Sequence, residues 1–178
     1  RYDDFARFLA SNGYVVCGND HIGHGKSVAD EDDLGFTAEK DGYRRFVDDM
    51  HILYSIMHKR YPELPYYLFG HSMGSLGVRN FLKQHDSEVQ GVFILGTPCY
   101  KKFSRFGLSV DKALMQKLGS HFRSEKIDTL AQKSLNKPFG RDNTRNAWIC
   151  SDKNVVAEFN ADSGCNYIYT LNGYSSLL

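Results

Sequence analysis

The chain is 178 residues long with a formal net charge of +1, and hydrophobic residues make up 42% of it against 24% charged. That balance describes one folded domain with a real core; it excludes a polybasic nucleic-acid binder and an acidic disordered chain, and no apolar run approaches the roughly 20 residues of a membrane-spanning helix. The four cysteines, Cys17, Cys99, Cys150 and Cys165, are scattered without Cys-x-x-Cys spacing, which favours a reducing compartment and a cytoplasmic protein.

The chain opens at Arg1 rather than a methionine and reads as a piece lacking both ends. Tyr2, Phe5, Ala6, Phe8 and Leu9 form a helical stripe against Asp3, Asp4 and Arg7, and Asn12-Gly13 stops it. Tyr14-Val15-Val16-Cys17 then predicts a buried core strand, with the Cys17 thiol acting as a small apolar residue. Asp20-His21-Ile22-Gly23-His24-Gly25-Lys26-Ser27 follows at the strand's carboxyl end, where open α/β sheets gather their ligand loops. A phosphate loop through Gly25-Lys26-Ser27 fits poorly, because Asp20 stands where its first glycine belongs. A metal site of Asp20, His21 and His24 lacks a further ligand spaced to close it. The preferred reading is a loop tightened by glycines and lying near the nucleophile described below.

Val28 to Phe36 is acidic and irregular, the pattern of a solvated loop. Tyr43, Phe46, Val47, Met50, Leu53, Tyr54 and Met57 recur at helical spacing, and Tyr61-Pro62 ends the run. His51 and His58 ride this helix as surface or boundary residues. Tyr66-Tyr67-Leu68-Phe69 has the character of a strand buried on both faces. Gly70-His71-Ser72-Met73-Gly74 comes next, and Leu76, Val78, Phe81 and Leu82 follow at the spacing of a helix that packs back onto a sheet. Strand, Gly-x-Ser-x-Gly, helix is the context in which such a serine becomes a nucleophile on a strained turn, with Gly70 and Gly74 leaving room for close backbone approach. The Met73 amide, at the helix start, can stabilise negative charge on a substrate oxygen.

Gln90 to Gly96 is a further buried strand, ending at Thr97-Pro98. The alternation of helix and strand to this point predicts a parallel sheet covered on both faces. From Cys99 the character changes. Phe103, Phe106, Leu108, Val110, Leu114, Met115 and Leu118 lie among Lys101, Lys102, Arg105, Lys112 and Lys117, giving amphipathic helices with basic edges and no convincing core strand. They read as a lid, with core helices as the alternative.

Taken together, Asp20 to Ser27, Gly70 to Gly74 and the helical insertion resemble the monoacylglycerol lipase and lysophospholipase branch of the α/β-hydrolase superfamily, often labelled serine aminopeptidase-like. The stretch Asp162-Ser163-Gly164-Cys165 with Tyr167-Ile168-Tyr169-Thr170 looks like that family's return from cap to core. Ser75 departs from the family's usual second glycine, with little effect expected. The resemblance implies an α/β fold: a partial hydrolase sheet flanked by helices over residues 1–97, and a mostly helical cap over 98–178.

It implies Ser72 as nucleophile, the Met73 N–H as oxyanion donor, and His71, Phe103 and Phe106 as substrate contacts. The triad aspartate and histidine are expected outside this chain. His85 lies a helix length from Ser72, His121 is on the mobile lid, and His71 points elsewhere from the turn; none suits a general base, and Asp86, Asp111, Asp128 and Asp162 are the downstream acids. No metal, cofactor or nucleic acid is implied. The expected substrate is a lipid or other small ester, monoacylglycerol or lysophospholipid, with transient membrane-surface contact through the cap; a peptidase or small-ester hydrolase and a non-catalytic lipid-binding fragment are the alternatives. Because the sheet would keep an unpaired apolar edge, the isolated 178-residue chain is expected to aggregate, and a sharp, reversible unfolding transition from a monomer would contradict this.

Overall fold

A computed structural model describes residues 2–39, 41–98, 104–139 and 145–177, without the side chains of 104–106 and 177. Helix α1 (Asp3–Ser11) leads through an irregular loop to α2 (Gly42–Arg60), β1 (Tyr67–His71), α3 (Met73–His85) and β2 (Gly91–Leu95). Helices α4 (Ser104–Leu118), α5 (Glu125–Asn136), α6 (Lys153–Ala161) and α7 (Leu171–Leu177) follow. Strands β1 and β2 pair in parallel, from Tyr67 opposite Gly91 to His71 opposite Leu95. Parallel partners need a crossover, and α3 supplies it.

One face of this sheet is closed by α3 and α2. Val47 and Met50 of α2 meet Val78 and Phe81 of α3, and Leu68 and Val92 reach the same cluster from the strands. The helices approach closely because Gly77 has no side chain: a Cβ there would overlap the Phe46 ring and lie 3.1 Å from the Met50 sulfur. The helices at 3–11, 42–60 and 73–85 and the strands at 67–71 and 91–95 are those the periodicity predicts.

Three expectations need correction. Residues 14–17 form no strand among the described residues, and Tyr14 is 58% exposed. Cys17 is exposed too, its sulfur 3.9 Å from the Tyr66 hydroxyl. Apolar runs report a wish to be buried, whereas a strand also needs a ladder partner, and neither β1 nor β2 offers one here. The sheet is not covered on both faces either. Phe69, Phe93 and Leu95 stay exposed, and the rings of Tyr2, just before α1, and Phe5 of α1 lie against Phe69 at 6.2 and 5.3 Å.

The acidic stretch 28–36, lastly, is only half a solvated loop. After a 3-10 turn at Glu31–Asp33, Leu34 is buried and Gly35, at φ +76°, accepts a hydrogen bond from the Thr170 hydroxyl at 2.9 Å.

That bond belongs to a seam joining the early loop to the start of α7. Asn172 accepts from Thr37 N (3.1 Å), Thr37 Oγ1 (2.6 Å) and Ala38 N (3.2 Å), and its own amide donates to the Ala38 carbonyl. Across the seam two glycines face each other. A Cβ on Gly173 would run into the Gly35 carbonyl, and one on Gly35 would come within 2.9 Å of the Tyr167 ring. Farther out, Arg145 pairs with buried Asp128, which also accepts from Tyr174, tying α5 to α7.

Gly77→Ala should therefore lower the unfolding free energy by about 1–3 kcal/mol through overpacking. Gly74→Ala, whose new methyl meets nothing within 4 Å, should leave stability unchanged or slightly higher. Urea unfolding of the two variants checks the contrast.

Candidate active site

The turn between β1 and α3 holds the serine of the Gly-x-Ser-x-Gly motif. Ser72 has φ 54° and ψ −118°, a backbone conformation that an L residue adopts only when its surroundings impose it. Three contacts impose it. The Ser72 N–H donates to Leu95 O at 2.9 Å, prolonging the β1–β2 ladder by one residue. Its carbonyl accepts from Ser75 N at 3.0 Å and from the Ser75 hydroxyl. Gly70 lets the turn fold back, since a Cβ there would stand 2.6 Å from Gly74 O and 2.7 Å from a Val78 methyl.

Gly74 contributes otherwise than expected: the room at its own Cβ position is open, and its carbonyl is what lies against Gly70. Ser75 is fully buried and bonded to the Ser72 carbonyl, so this residue helps hold the turn. The Ser72 hydroxyl, half-buried, donates to no histidine or carboxylate among the described residues. Met73 is the first helical residue of α3, and its N–H falls outside the intrahelical ladder.

Beside the elbow runs a cleft lined by Ile22, His24, Phe46, Met73, Leu76 and Tyr169, among others. The loop 20–27 thus lines the same cleft as Met73, the residue after Ser72. Its tightness comes from Asp20, which accepts from Lys26 N at 2.9 Å and, through its carbonyl, from Ser27 Oγ at 2.7 Å; Gly23 and Gly25 take positive φ beside it.

His24 bridges the loop to the end of the cap, with Nδ1 3.0 Å from Ile22 O and Nε2 2.9 Å from the Tyr169 hydroxyl. His21 is half-buried, its ring 3.9 Å from that of Phe46 between centres. Burial, reinforced by His24 and opposed by Asp20, pulls its pKa down to about 4. Tyr169 was invisible as a site residue in the sequence, because 145 positions separate it from His24.

The other expected residues fall elsewhere. His71 leaves β1 toward α1, where its Nδ1 lies 2.6 Å from the Tyr2 hydroxyl, and it does not line the cleft. Phe103 lies outside the described residues, and Phe106 is placed only as a backbone position in α4. His85 is the last residue of α3 and pairs with Glu88. His121, between α4 and α5, stacks on Phe36 at 3.8 Å with the Glu39 carboxylate 3.7 Å away. Asp111 is buried on α4 with both oxygens unpartnered, and burial pushes its pKa up to about 6.

These two shifts have opposite consequences. His21 binds its proton more weakly when folded, so its contribution to stability is present above pH 6.5 and is lost as pH falls toward 4. Asp111 binds its proton more tightly when folded, so its penalty is present above pH 6 and is relieved as pH falls toward 3.8. His21→Phe should flatten the acid-side loss of stability and Asp111→Asn should steepen it, as read from denaturation midpoints across pH 4 to 7.

A family model described as serine aminopeptidase, S33, matches residues 1–178. Human monoglyceride lipase is 36% identical over 81 residues, covering 42% of this chain and 22% of that protein. The monkeypox virus monoglyceride lipase homolog is 35% identical over 75 residues, covering 42% and 25%. A thermostable carboxyl esterase from Bacillus coagulans, solved in complex with glycerol, superposes with a TM-score of 0.87 at 28% identity, over 99% of this chain and 58% of that one. The matched region is thus about a quarter of these lipases, and the chain spans little more than half of the esterase.

Proposed function

Since the chain belongs to the serine aminopeptidase S33 family of α/β-hydrolases, we propose that Ser72 is the nucleophile of a hydrolase that cleaves carboxylic esters. The observation that carries this reading is the positive φ of Ser72 at a strand-to-helix junction, next to a free-standing helix N-terminus. A serine kept in that conformation holds its hydroxyl clear of both the strand and the helix, where a substrate carbonyl can reach it.

In the proposed reaction Ser72 Oγ attacks the ester carbonyl carbon while a histidine takes its proton. The Met73 N–H donates to the oxyanion as the carbonyl bond opens. Collapse of the tetrahedral species expels the alcohol, which takes the proton from the histidine, and leaves an acyl-Ser72 ester. Water then repeats the sequence and releases the acid. The histidine and its orienting aspartate belong, in this proposal, to sequence outside these 178 residues.

For the substrate we propose a single acyl chain on glycerol or on a lysophospholipid head. The relatives named monoglyceride lipase and the esterase holding glycerol support that class, as does an apolar cleft wall of Ile22, Phe46, Met73 and Leu76. We retain the division into a core over residues 1–97 and a cap over 98–178. On the cap, Leu118, Phe122, Leu130, Leu135 and Phe139 are exposed, which suits passing contact with a lipid surface. A peptidase is the second reading, favoured by the description of the matching family model.

A fluorophosphonate probe should label the protein on Ser72, and Ser72→Ala should abolish labelling and lower kcat by about 10⁴-fold or more. Labelling that persists in the variant removes Ser72 as nucleophile. Faster turnover of an aminoacyl arylamide than of a long-chain monoacylglycerol would replace the lipase reading with the peptidase one.

A further inference from the structure

We propose that His51, His85 and Glu88 form a binding site for a borderline transition-metal ion such as Zn²⁺, at the end of α3 remote from Ser72. His51 comes from α2, His85 ends α3, and Glu88 closes the 3-10 turn (Asp86–Glu88) leading to β2. His51 Nε2 lies 3.0 Å from Glu88 Oε2, and His85 Nδ1 lies 3.0 Å from Glu88 Oε1. One potential ligand atom from each residue falls within 4.8 Å of the other two. With metal–ligand bonds of about 2.0–2.2 Å, tetrahedral coordination sets its ligand atoms roughly 3.3 Å apart. Each ring nitrogen thus stands within a few tenths of that spacing from its own Glu88 oxygen, so small side-chain rotations bring the two nitrogens and the carboxylate onto one ion.

An ordinary hydrogen-bonded cluster would share these distances, but Glu88 Oε2 distinguishes the two. It is buried and has no hydrogen-bond donor among the described residues, although the His51 nitrogen stands 3.0 Å away. A buried carboxylate oxygen left without a donor is costly, and a cation satisfies it without any requirement on N–H direction. The imidazoles themselves stack at 3.9 Å between ring centres and 15° between planes.

Phe81 and Tyr54 wall the rings on their apolar sides, and side-chain exposures of 36% for His51, 21% for His85 and 29% for Glu88 leave an entry and a fourth position for water. Two imidazoles and one carboxylate suit Zn²⁺ better than a hard cation such as Mg²⁺ or Ca²⁺. The ion would fasten α2 to the end of the helix that begins at the nucleophile.

The test is to strip the full-length protein with EDTA and titrate it with Co²⁺, a spectroscopic substitute for Zn²⁺. Saturable uptake of one ion per site, with the intense visible bands of low-coordinate cobalt and displacement by Zn²⁺, is the expected result. Glu88→Gln, which keeps the side chain's volume and fold contacts, should weaken Co²⁺ binding by about tenfold or more, as should His85→Ala, whereas His58→Ala should not. Absence of saturable Co²⁺ binding, or unchanged affinity in Glu88→Gln, overturns the proposal.

Discussion

The positive φ of Ser72 is the constraint from which the surrounding structure is best understood. Such a conformation costs on the order of 1–3 kcal/mol and persists only where neighbouring contacts leave no alternative. Here the last ladder bond of β1 fixes the residue from one side and the first turn of α3 from the other, through Leu95 O and Ser75. Burial of Val78 and Phe81 beneath α2 keeps α3 from relaxing. Gly77 sets how deeply that helix can sit, so the depth of α3 and the backbone geometry of Ser72 are one problem.

Much of this was legible from sequence, for physical reasons that differ by element. The helices at 42–60 and 73–85 announced themselves because a buried helix face imposes a 3.6-residue period on its side chains. The elbow was legible because glycine, serine and glycine between a strand and a helix answer steric demands at fixed spacing. Residues 14–17 misled because apolarity signals burial without naming the neighbour that will provide it. Gly74 and Gly77 look alike in sequence, yet only Gly77 has a ring against its missing Cβ.

What stayed illegible was chiefly long-range and polar. His24 meets Tyr169 and Asn172 gathers Thr37 and Ala38 across more than 130 intervening positions, and no local periodicity encodes such pairings. The burial of Asp111, which raises its pKa, is equally hidden, because an aspartate on an amphipathic helix reads as solvent-facing until its neighbours are placed. His51 reads as a surface or boundary residue and His85 as a residue a helix length from Ser72; only the packing of α2 on α3 brings them face to face.

The facing glycines of the seam, Gly35 and Gly173, bear on how such a protein can change over generations. A side chain gained at Gly173 meets the carbonyl of Gly35 itself, and no substitution of Gly35 can remove a carbonyl. Compensation by a partner mutation is therefore closed, and the join between early loop and last helix is confined to a narrow set of sequences. Helices α5 and α6 contain no glycine, and so no backbone approach of this kind. Variation along α5 and α6 can thus proceed around a fixed attachment, so that the surfaces of these helices drift while the join of early loop to α7 does not.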